Sequence, residues 1–164
     1  MKIEDILMGR RVRQNHALEH ATFTILAQMN PNLSGGARSF SDGFVVFGNA
    51  NPVQLRQAAE EALRRLQEGE AELAIHPNCG TNLSVGISLL TIGTLLGLAA
   101  TRQRTRIALT AASSIAGWAM ARPVGAYVQK HFTTLPDLRG VRITDIVQHK
   151  VLGAPFTYVH TVQE

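Results

Sequence analysis

Between Leu73 and Thr101 the chain carries no Asp, Glu, Lys or Arg, and Leu83–Ala100 is a run of mostly Leu, Ile, Gly, Ala and Val with a few Ser and Thr. Such a stretch has to be hidden from water. A bilayer core of roughly 30 Å takes about 17–20 apolar helical residues, which this run supplies. A second uncharged run, Ile107–Ala121, follows the turn "TRQRTR" and continues past Arg122-Pro123 into "VGAYV". It crosses a bilayer only if Arg122 snorkels or the helix extends to Val128. Gly93 and Gly97 form a GxxxG, and Ser113, Gly117, Ala121 and Gly125 repeat a small residue every four positions. Small residues let helix backbones approach closely in lipid. The expected element is a transmembrane helical hairpin over 83–128. Its partners would be the lipid bilayer and, through Gly93, Gly97, Gly117 and Ala121, a second copy or another membrane protein. The competing reading is a buried helical hairpin inside a soluble oligomer. It is disfavoured because two such runs joined by an Arg-rich tight turn are uncommon in soluble domains.

The flanking sequence is patterned differently. Leu18, Ala21, Ile25 and Met29 recur at spacings of three and four, with Phe23 and Leu26 beside them, so 13–29 reads as an amphipathic helix. "NPNLSGG" stops it. "ARSF-SDG-FVVFG" reads as a β-hairpin turning at Asp42-Gly43. Asn51 then caps a second helix with Pro52 at its first position and a stripe of Val53, Leu55, Ala59, Leu63 and Leu66, ending at Gly69. "AELAIHP" reads as a short strand. Beyond the hairpin, "RGVRITDIVQHKV" and "APFTYVHTV" read as two more strands. In the first, Val141, Ile143 and Asp145 share a face; in the second, Phe156, Tyr158 and His160 do. The fold class is therefore α+β: a small mixed domain (helix–hairpin–helix–strand, then two C-terminal strands) with an inserted transmembrane helical hairpin. The expected division is 1–82 for the first α+β part, 83–128 for the hairpin and 129–164 for the completing strands.

Net charge is +4 with a pI of about 9.8, but the 16 Lys and Arg are spread along the chain and aromatics are only 5%. Nucleic acid is not expected as a partner. Cys79 is the only cysteine, which excludes an intrachain disulfide and suits a cytosol-facing thiol or a metal ligand. The leading "MKIEDILMGRRVRQ" does not read as a signal peptide. Its apolar run is short, acids interrupt it, and the arginines follow it.

Two motifs carry chemistry. In "NHALEHAT", His16 and His20 stand at i and i+4 on one helix face, where two imidazoles can hold one metal ion. Glu19 completes H-x-x-E-H, the inverted zincin pattern, and is placed as a general base. Zinc lowers the pKa of a bound water toward about 7. Catalytic zinc sites use three protein ligands, so the third comes from elsewhere. "HPNCGTN" offers Cys79, with His76 as a substitute or outer neighbour. The bland readings are a helix whose polar edge carries two histidines, an interfacial histidine at 76 and a small buried hydrophobe at 79. Glu60 and Glu61 are a further option for the third ligand, and better read as a solvated helix face.

The HxxEH helix followed by a hairpin, a helix and a Cys-Gly-Thr segment resembles the metallohydrolase fold of S-ribosylhomocysteinase and the pitrilysin-type peptidases, over residues 13–81. The resemblance implies that His16, His20 and Cys79 bind metal and that Glu19 shuttles a proton. This chain lacks the second catalytic cysteine of S-ribosylhomocysteinase. It offers Cys79 where pitrilysin-type peptidases use a distal glutamate, and it carries a hairpin that neither group has. As a whole it is more similar to a family of uncharacterised bacterial membrane proteins that pair HALEHAT-like and HPNCGTN-like segments. That similarity implies a membrane protein and no particular activity, and the expected location is the bacterial inner membrane, with more than one pass.

Arg102, Arg104 and Arg106 favour a cytoplasmic turn, which would put the N-terminal domain outside with no signal peptide to carry it across, but Arg122 and Lys130 on the far side partly balance the count. The soluble part is expected in the cytoplasm. His131, His149 and His160 are scattered, and only His160, on its strand, is a candidate to approach the site. The expected function is a membrane-anchored hydrolase using zinc or another divalent transition metal, peptidase-like, with Glu19 as base. The alternative is a non-catalytic membrane protein with a structural or sensing metal site and a partner-docking hairpin.

Overall fold

A computed structural model describes residues 8–99, 102–151 and 154–164. The leading residues 1–7 and positions Ala100 and Thr101, which the membrane and leader readings include, lie outside the described residues. The chain divides into two compact units, one formed by residues up to His76 together with Lys130–Glu164, the other by Pro77–Gln129.

In the first unit, helix α1 (Arg10–Met29) carries the expected stripe: Leu18, Ala21, Ile25 and Leu26 are buried. Met29, expected on it, is 42% exposed because it ends the last turn before Asn30 breaks into extended backbone. Strands β1 (Gly35–Phe40) and β2 (Gly43–Gly48) form the hairpin, but its two-residue loop is Ser41-Asp42, with Phe40 paired to Gly43. The expected turn at Asp42-Gly43 is thus displaced by one residue. Gly43 opens β2 at φ +149°, where a Cβ would overlap the Val159 carbonyl oxygen, so the glycine serves strand approach rather than the turn. Helix α2 (Pro52–Gln67) is capped as expected, with Asn51 Oδ1 accepting from the Val53 and Gln54 N–H groups. Its buried face is Leu55, Ala58, Ala59, Ala62 and Leu66; Val53, in the capped first turn, is exposed.

The expected strand at 71–77 is absent. Ala71–Ala74 is a 3-10 turn, closed by the Leu73 and Ile75 N–H groups donating to the Glu70 and Glu72 carbonyls. Two apolar alternations are too short a signal to outweigh local bonding in an alanine-rich segment. The other two expected strands are present as β3 (Val141–Val151) and β4 (Ala154–Gln163). All pairings are antiparallel in the order β1-β2-β4-β3. A register shift between Ile143 and Asp145 resets the alternation of β3, so Ile146 rather than Asp145 joins Ile143 against the core. On β4 the buried face is Thr157, Val159 and Thr161. The helices cover that face of the sheet, and Leu18, Leu26, Phe44, Leu55 and Val159 meet in one core.

The second unit is a pair of helices, α3 (Gly80–Leu98) and α4 (Gln103–Val128). Cys79 caps α3, its Sγ accepting from the Thr81 N–H at 3.3 Å. Small residues let the two backbones touch. A Cβ on Gly93 would meet the Ser113 carbonyl oxygen at 2.8 Å, and one on Gly117 would meet that of Leu89 at 2.9 Å. A Cβ on Gly97 would overlap the Thr110 backbone. Gly93, Gly97 and Gly117 therefore have a use within the hairpin itself. Among the described residues one helix, Gly80–Leu98, is long and apolar enough to cross a membrane. The uncharged part of α4 is shorter, bounded by Arg106 and Arg122.

Candidate metal centre

Helix α1 is built as two adjacent stripes. One faces the sheet. Asn15 Nδ2 donates to the Phe40 carbonyl at 2.7 Å, Asn15 Oδ1 accepts from Thr161 Oγ1 at 2.7 Å, and Glu19 Oε2 accepts from Ser39 Oγ at 2.5 Å. The other stripe carries the histidines. His16 Nδ1 lies 2.9 Å from the Thr133 carbonyl oxygen and His20 Nδ1 lies 2.7 Å from that of Ala74. A carbonyl only accepts, so each Nδ1 bears a proton, and in the neutral ring that leaves Nε2 as the nitrogen with the lone pair. That tautomer is the one in which metal-ligating histidines are held by their outer partners.

The two rings meet edge to face with centroids 4.3 Å apart, and one nitrogen of each lies within 4.8 Å of the other. Tetrahedral ligation at about 2.0–2.1 Å sets donor atoms roughly 3.4 Å apart, inside that limit. His20 is buried and His16 half-buried. His76 belongs to the same cluster, its ring centroid 5.8 Å from that of His20, and half-burial pushes its imidazole below the ordinary range. Glu19 is 9% exposed. Burial pushes its carboxyl above the ordinary range, against the opposing pulls of the Ser39 hydrogen bond and the His16 charge. A buried carboxyl held beside two imidazoles can take and return a proton.

The pattern of a family described as Domain of unknown function (DUF6391) matches residues 11–146. The chain belongs to the DUF6391 family. The match encloses His16, Glu19, His20, His76 and Cys79 together with both long helices. An uncharacterized protein of Picosynechococcus sp. is 36% identical over 135 residues, covering 75% of this chain and 65% of that protein. This DUF6391 chain thus spans just under two thirds of the relative's length. No solved structure matches it.

The remaining candidates in the DUF6391 chain fall elsewhere. Glu61 pairs with Arg64 and Glu60 with Arg56 on the exposed side of α2, as a solvated face requires. His160 stacks on Tyr158 with centroids 4.3 Å apart, on the sheet face opposite to Thr157, Val159 and Thr161, so it does not approach the α1 histidines. His149 stacks on Phe156, on that same outer face, and His131 offers its backbone carbonyl to Arg13. Sequence reasoning missed Ser39 and Asn15. Asn15 lies inside the motif one turn before Glu19, and Ser39 shares a strand face with the half-buried Ala37.

Proposed function

We propose that the chain is a membrane-anchored metallohydrolase, using zinc or another divalent transition metal, that cleaves an amide or related carbonyl substrate. His16, His20 and Cys79 would hold the metal, with His76 beside them. The observation that carries the reading is the pair of helix-borne histidines whose Nδ1 atoms are both engaged by carbonyls, with buried Glu19 between them in the motif. Cys79 is supported by the chain itself. It stands three residues after His76, whose ring neighbours His20, and three residues reach about 10 Å. When bound, the metal supplies Lewis acidity at the open fourth position. Glu19 then acts as base and returns the proton to the leaving amine, while Thr133 and Ala74 carbonyls keep the imidazoles in the ligating tautomer.

The membrane part rests on the surface of the second unit. Leu83, Leu95, Leu96, Ile107, Ile115 and Trp118 are each at least 62% exposed, and only 11% of the apolar window of α3 is buried. A core helix of a soluble protein would be mostly buried. The hydroxyls of Ser88 and Thr91 bond back to the Ser84 and Ile87 carbonyls, which satisfies them without water. Both helices cross the bacterial inner membrane in this reading, with the first unit in the cytoplasm.

The test is metal content of the purified full chain under reducing conditions. Stoichiometric zinc, lost in His16→Ala, His20→Ala and Cys79→Ala and retained in Glu19→Gln, is expected. Metal at background in the wild type sinks the proposal. Metal retained with an unaltered cellular phenotype in Glu19→Gln favours the non-catalytic, structural or sensing alternative.

A further inference from the structure

We infer that Ser39 is a positioning residue whose hydroxyl tethers the Glu19 carboxylate, so that it serves as a base and does not become a metal ligand. The inference deepens the metallohydrolase reading and rests on it. A glutamate one residue before a ligating histidine has a flexible stem and a good zinc donor at its tip. Carboxylates bind zinc at about 2.0–2.2 Å and would close the open position that catalysis needs. An H-x-x-E-H helix therefore requires something that holds the carboxylate to one side.

Strand β1 supplies it. Ser39 Oγ donates to Glu19 Oε2 at 2.5 Å, a short and direct tether. The donor is itself fixed. Ser39 pairs with Phe44, which is fully buried, and the neighbouring Phe40 carbonyl is anchored to α1 by Asn15. Helix and strand are thus clamped one turn from the carboxylate.

The experiment uses the full chain in detergent, loaded with Co²⁺ for visible spectra and titrated with Zn²⁺ against a chelator. Ser39→Ala and Ser39→Val should let Glu19 swing onto the metal. The Co²⁺ d–d bands then weaken as coordination number rises, and Zn²⁺ affinity tightens by about tenfold, the scale on which outer partners move metal affinity. Ser39→Thr, which keeps the hydroxyl and matches Val in shape, should restore the wild-type spectrum. Both changes should vanish when Glu19→Gln is added. A wild-type spectrum and affinity in Ser39→Ala and Ser39→Val overturns the inference while leaving the metal reading intact. So does a change that survives Glu19→Gln, since Ser39 would then act on the fold and not through Glu19. A wild-type protein that takes up neither metal overturns both.

Discussion

Asn15 is the anchor that sets how α1 faces the sheet, and its removal should loosen the whole first unit. The side chain is 2% exposed and makes two bonds of 2.7 Å, donating to Phe40 on β1 and accepting from Thr161 on β4. Asn15→Ala strands a buried Thr161 hydroxyl and a partly buried carbonyl. At roughly 1–3 kcal/mol for a stranded buried group, and less for the carbonyl that water can reach, the loss is about 2–4 kcal/mol. Hydrogen exchange of α1 amides reads this directly. At about 1.4 kcal/mol per decade, protection should fall roughly 30- to 1000-fold where exchange follows opening. Thr161→Val should cost less, about 1–2 kcal/mol, because the bond to Phe40 survives. Adding it to Asn15→Ala should cost little more, since both remove the same bond. Protection of α1 within threefold of wild type in Asn15→Ala would refute the reasoning and place the α1 anchor in apolar packing alone.

Two further outcomes test other parts of the fold. In the hairpin, Gly97→Leu inserts a side chain where a Cβ already overlaps Thr110, at an overpacking cost of about 1–3 kcal/mol. Thr94 and Ser114 hydroxyls lie 3.4 Å apart; in a Cys79→Ser background, Thr94→Cys/Ser114→Cys should oxidise readily, and Gly97→Leu should suppress that crosslink. No crosslink in the Gly97 parent would mean that α3 and α4 do not meet at Thr94 and Ser114, and a crosslink undiminished by Gly97→Leu would mean that Gly97 does not lie against Thr110. On the outer sheet face, burial and the hydrogen bond to Asp42 push the Tyr158 phenol up to about 12. The stabilisation from this neutral phenol is present at ordinary pH and lost as pH rises through about 12. Ultraviolet titration should show a late tyrosine that Asp42→Asn moves earlier; an unmoved midpoint would remove Asp42 from the cause.

Elements whose signal is local were legible. Asn51-Pro52 starts α2 because the capping bonds lie within three residues. The stripe of α1 and the uncharged composition of α3 likewise need no distant partner. The misreadings share one physical origin. The segment 71–74 closes its own 3-10 bonds, the β3 register shift displaces Asp145, and Gly43 answers to Val159 on another strand. Each depends on what lies across the sheet or on competition between local and long-range bonds.

The sequence alone determined that His16 and His20 share a helix face with Glu19 close by, because 3.6 residues per turn leaves no other arrangement. It also determined that 83–98 is an uncharged, predominantly apolar stretch long enough for a helix to span a bilayer core. Only the tertiary structure decided the state of those groups. The tautomers of the two histidines are set by Thr133 and Ala74, 117 and 54 residues away, and the reach of Glu19 is set by Ser39 on an edge strand. Hydrogen bonds between segments so distant in the chain leave no periodicity to read; they exist only once the core has brought the segments together.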